Sequence, residues 1–309
     1  MELSPVVEAL IREFEQDKPK AREEVRLSVS KTVSALAVLY EKARNAVEFR
    51  AEHLIRRAAI ERILKRRIII NGGSTTIAEN LTVELLWARY IDSSLVSDKT
   101  ITTIQEIIER YLSLKRTVFE GASNVQSISW DTVLGVASSE IEETIVSAKK
   151  REALINFLYQ AVRPNIQIPG KPVEFTNMQT YIAVERSYAD SDDALILYHL
   201  IGITQPRWHE LKNPSTSDVH VFLDTLRLAQ DGLRDSTSVS VTRYVRRHVP
   251  PFLLLRDVFL DTPNIRSLID NPPLFEQTLA ETATKRYQEI GTKVRRAVVR
   301  SIIYIFLTK

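Results

Sequence analysis

Five histidines, His53, His199, His209, His220 and His248, are the side chains best suited to acid–base work or metal ligation near neutral pH. No pair sits at i, i+4, and neither His-Glu-x-x-His nor Glu-x-x-His occurs. The zinc-protease helix and the ligand spacing of a carboxylate-bridged di-iron bundle are therefore not written locally. Asp190-Ser191-Asp192-Asp193 is the densest acidic group suited to a divalent cation. It directly precedes Ala194-Leu195-Ile196-Leu197, where Asp and Ser serve as N-cap and first-turn residues. A metal site also needs a facing cluster, and Glu140, Glu142 and Glu143 read as the first turn of another helix, restarting at Ser139. Asp190, Asp192 and Asp193 thus read first as caps and second as the metal ligands of a helical hydrolase or lyase. The expectation is no catalytic residue, no bound metal and no cofactor.

Nucleophile patterns are equally sparse. Ser28-Lys31 and Ser147-Lys150 have Ser-x-x-Lys spacing, which arises by chance in a chain rich in both residues. There is no Gly-x-Ser-x-Gly and no Gly-Lys-Ser/Thr loop, and Asn71-Gly72-Gly73-Ser74 reads as a turn between helices. The absence of cysteine removes thiol catalysis, zinc–thiolate sites and disulfides.

Two basic clusters point to surfaces instead. Between Arg50 and Arg67 seven basic residues face only Glu52 and Glu61. On a helix they scatter all round, whereas a phosphate-tracking helix gathers its charge on one side. Arginines snorkelling outward from a helix with several neighbours is the expectation, and nucleic-acid binding is the lesser alternative. Lys285, Arg286, Lys293, Arg296 and Arg300 instead share about 100° of helical arc, opposite Tyr287, Ile290, Val294 and Val298. Such a basic amphipathic helix suits an anionic membrane surface or an acidic protein partner. Ile302 to Leu307 then has no polar face, and from Ser301 the run is far shorter than the roughly 20 residues that cross a bilayer.

The elements carrying these residues are helical. With only 8 glycines and 12 prolines in 309 residues, hairpin turns and phosphate loops are starved of their usual residues. Residues 20–71 contain neither, and a straight helix over most of that stretch is roughly 70 Å long. A compact chain of this length has a radius of gyration of only about 20 Å, so an elongated all-α protein with one very long helix is expected. Capping boxes are expected at Thr76–Glu79 and, before the next helix, a cap at Asp98. Ten of the twelve prolines follow Arg163. This divides the chain into a long-helix domain (1–163), a Pro-rich linker (164–175) and a domain of shorter helices (176–309) ending in the basic amphipathic helix. Those shorter helices are expected near 176–189, 192–203, 217–233, 237–247, 251–260 and from Pro273. Basic and acidic residues nearly balance, 42 against 39, which gives no bulk polyanion binder.

Ala51–Arg62, Glu84–Tyr90, Ser139–Glu143 and Arg296–Lys309 together resemble helix-rich proteins of candidate-phylum bacteria with no assigned function. The resemblance implies a chain continuing into apolar sequence and supplies no catalytic residues. The resulting expectation is a non-catalytic helical scaffold or interaction protein, cytoplasmic and at the inner face of the cell membrane.

Overall fold

The computed structural model describes residues 4–15, 52–71, 76–119 and 128–288, and these are all-α, with no strand among them. Helix α1 is Pro5–Glu15, α2 Glu52–Asn71, α3 Ile77–Trp87, α4 Asp98–Val118 and α5 Trp130–Ile145. Then follow α6 Lys149–Val162, α7 Val173–Val184, α8 Asp193–Thr204, α9 Thr216–Arg234, α10 Thr237–Arg246, α11 Val249–Asp261, α12 Ile265–Ile269 and α13 at 272–288. The longest described helices are α2 and α4, of 20 and 21 residues. Residues 20–51 of the expected long helix lie outside the described residues.

Local signals set most boundaries. Ser97 caps α4 by accepting from the Thr100 amide at 3.2 Å, and the Thr100 hydroxyl takes the Ser97 amide in return at 3.3 Å, so Asp98 is the first helical residue rather than the cap. Ser215 and Asp218 form the same reciprocal pair at α9. Two expected signals are overridden by packing. Thr76 makes no side-chain cap bond, because Gln105 Oε1 from α4 accepts from the Ala78 amide at 3.1 Å. Helix α5 does not restart at Ser139; the Ser139 hydroxyl donates back to the Gly135 carbonyl at 3.0 Å. Glu140 and Glu142 are consequently mid-helix and buried rather than in a solvated first turn.

Two apolar clusters fill the interior. One joins α2–α5 to α8 and α9 through Ile60, Leu85, Ile104, Val133, Ile196 and Phe222. The other joins α1 and α6 to α10–α12 through Leu10, Leu158, Val245, Val258 and Ile265. Helix α7 belongs to both, with Ile182 in the first and Ala183 and Val184 in the second. Each cluster draws on helices from both sides of the 164–175 segment, whose start is a 3₁₀ turn over Arg163–Asn165.

Candidate functional site

Where the two clusters meet, α5, α6 and α8 bring charged side chains into a polar seam. Helix α7 does not end in a simple cap: Glu185–Ala189 continue it as a π turn, closed by Asp190 in the left-handed region at φ 52°. The turn leaves Glu185 fully buried. Glu185 Oε2 accepts from the Ser191 hydroxyl at 2.6 Å. Its Oε1 lies 2.7 Å from His199 Nδ1, in the middle of α8. His199 Nε2 lies 2.8 Å from Glu143 Oε1, which also accepts from Arg151 Nη2 at 2.6 Å. Glu152, in the first turn of α6, lies beside Glu143 and completes the group. Ligand atoms of Glu143, Glu152 and His199 all lie within 4.8 Å of one another.

The seam pushes its two histidines in opposite directions. Burial works against the His199 imidazolium, but the Glu185 charge and the hydrogen bonds to Glu143 and Glu185 outweigh it and hold the ring up to about 10. Burial likewise opposes charge on Glu143 and Glu185, yet their contacts with His199 keep both below the usual carboxylate range. Glu152, though exposed at its edge, is raised, first by partial withdrawal of its carboxyl from water and then by Glu143 beside it. His53 on α2 is pushed down to about 4, first by burial and then by Arg151 and Arg56. Its buried Nε2 has no hydrogen-bond partner among the described residues.

The acidic group favoured from sequence is placed otherwise. Asp192 caps α8 by accepting from the Leu195 amide at 3.1 Å and pairs with Arg57, while Asp193 pairs with Arg186 at 2.9 Å. Both sit in a polar cleft of about 640 Å³ beside Arg57 and Arg234, and Asp190 closes the π turn. The expected outward arginines of α2 partly turn inward. Arg56 reaches Glu142 at 2.9 Å and Arg57 reaches Asp192, because α5 and the α8 N-terminus offer buried or half-buried carboxylates there. Lys65 meets Asp131, and Arg66 and Arg67 converge on Glu84. Of the basic C-terminal arc, Lys285 lies 3.9 Å from exposed Asp261, whereas Arg286 folds onto Asp257 and the Leu253 carbonyl. Lys293, Arg296 and Arg300 lie outside the described residues.

A second cavity, of about 900 Å³ and largely apolar, opens between α6, α7, α8 and α9. Tyr159, Phe175, Met178, Leu200, Ile203 and Leu228 line it, and Ile203 and Leu228 remain 59% and 67% exposed. Two rim carboxylates, Glu174 and Asp231, are exposed and have no side-chain partner among the described residues. A third, Asp235, is met by Lys171 at 3.6 Å. Sequence reasoning missed both the seam and this cleft. The available signal for the seam was a lone His199 inside the apolar run Leu195–Ile201. No described helix is long and apolar enough to cross a membrane. The chain matches no protein-family model, no curated protein and no solved structure.

Proposed function

We propose that this protein is a non-catalytic helical interaction protein that takes a cationic amphipathic helix of a partner into the cleft between α6, α7, α8 and α9. The observation that carries the reading is an apolar cleft with exposed Ile203 and Leu228 and two unpaired rim carboxylates. Apolar anchors at helical spacing fill such a groove, and Lys or Arg flanking them meet Glu174 and Asp231. The enzyme alternative at 190–193 loses support because Asp192 and Asp193 are already committed to a helix cap and two arginines.

Fluorescence anisotropy of a labelled Leu/Lys amphipathic helical peptide, with a Leu/Glu peptide of the same pattern as control, tests the proposal. The full chain binds the Leu/Lys peptide in a salt-sensitive manner, and Leu228→Lys weakens binding by about tenfold or more. Equal binding of both peptides, no binding, or an unchanged affinity in Leu228→Lys contradicts it.

A second reading, attachment to an anionic membrane surface, rests on the sequence pattern of residues 285–307, to which Lys285 contributes a largely exposed ammonium. The full chain then co-sediments with anionic vesicles, less so at high salt, and deletion of residues 293–309 abolishes it. Retention in the supernatant at low salt rejects this reading.

A further inference from the structure

We propose that Glu143, Glu152 and His199 form a binding site for one first-row divalent cation, of the Mn²⁺ or Zn²⁺ class, in the polar seam between the two apolar clusters. The three ligand atoms already lie within 4.8 Å of one another, on three different helices. His199 is oriented for the task from behind. Glu185 takes Nδ1 at 2.7 Å and is itself pinned by Ser191 at 2.6 Å, so the ring presents Nε2 toward Glu143. A carboxylate holding the far nitrogen of an imidazole is the arrangement that fixes tautomer and ring direction in metal-bound histidines.

Charge balance supports the same conclusion. Glu143, Glu152 and Glu185 bring three negative charges to the seam, and Arg151 on Glu143 returns one positive charge. With His199 neutral as a ligand, the two remaining charges match one divalent ion. In the metal-free seam His199 Nε2 and Glu143 Oε1 share a hydrogen bond at 2.8 Å whose proton stands where the ion would bind, so metal and proton compete. One imidazole with two carboxylates suits Mn²⁺ or Zn²⁺ and disfavours Ca²⁺ and Mg²⁺, which prefer all-oxygen shells. Glu152 is exposed and gives the ion a path from solvent.

Calorimetric titration of the chelator-treated full chain with MnCl₂ and with ZnCl₂ near neutral pH, alongside Mn²⁺ electron paramagnetic resonance, tests the site. For at least one metal, binding saturates at one ion per chain, and Glu152→Gln weakens it by about tenfold or more. His199→Gln has the same effect where circular dichroism shows it folded; Glu152→Gln, at an exposed position, decides the matter if it is not. Absence of saturable binding, or the same affinity in Glu152→Gln as in the native chain, overturns the proposal. The peptide-binding cleft stands or falls separately, since Leu228→Lys leaves the metal titration unchanged.

Discussion

His53 and Arg56 show how burial and charge act on single side chains of α2. Burial is the main reason that His53 lies near 4, against 6.5 unperturbed; Arg151 and Arg56 add to it, and Asp192 and Glu143 oppose it. The folded value lies below the unfolded one, so between these limits the unfolded chain binds a proton that the folded chain refuses. Stability is therefore complete above about 6.5 and falls on acidification through about 4, by on the order of 3 kcal/mol. Urea unfolding at a series of pH values measures this slope, and His53→Gln flattens it in that window; an unchanged slope contradicts the assignment. Arg56 shows the converse case of a buried charge that must keep its partner. Arg56→Ala leaves Glu142, already raised by burial, without its buried cation, and costs about 3–5 kcal/mol in the same assay.

At the scale of elements, close approach of α5 and α8 is what brings Glu143 within reach of His199. Gly135 permits it: a Cβ there would meet the Ala194 Cβ at 3.0 Å. Gly135→Val forces the two helices apart, and thermal unfolding registers a loss of about 1–3 kcal/mol despite the better helix propensity of a non-glycine residue. A gain in stability would mean that the contact yields easily. Helix boundaries of the second half were legible because their signals are local. Residues 217–233 were expected as helix and α9 runs Thr216–Arg234, since Ser215, Asp218 and Pro214 act over a few residues. The seam was not legible for the opposite reason. His199 meets Glu143 across 56 residues and Glu185 across 14, and the π turn that aims Glu185 inward has no local sequence signature. Packing likewise decided that α5 runs through Ser139, where a capping box had suggested a helix start.

Over the described residues, two apolar clusters meet at a charged seam, and each contains side chains from before residue 164 and from after residue 175. The proline shift marks shorter helices and tighter turns, a change in local geometry, while the cores are assembled by α7, α8 and α9 packing back on the N-terminal helices. The apolar cleft lies within that assembly: Met178, Leu200, Ile203 and Leu228 line it, and Ile203 and Leu228 remain uncovered. Hydrogen–deuterium exchange of the full chain with and without the Leu/Lys peptide shows which helices the bound peptide covers. With the peptide in the cleft, new protection is concentrated in Val173–Val184 and in the second half of Thr216–Arg234. Protection confined to other helices, or none at saturating peptide, would contradict it.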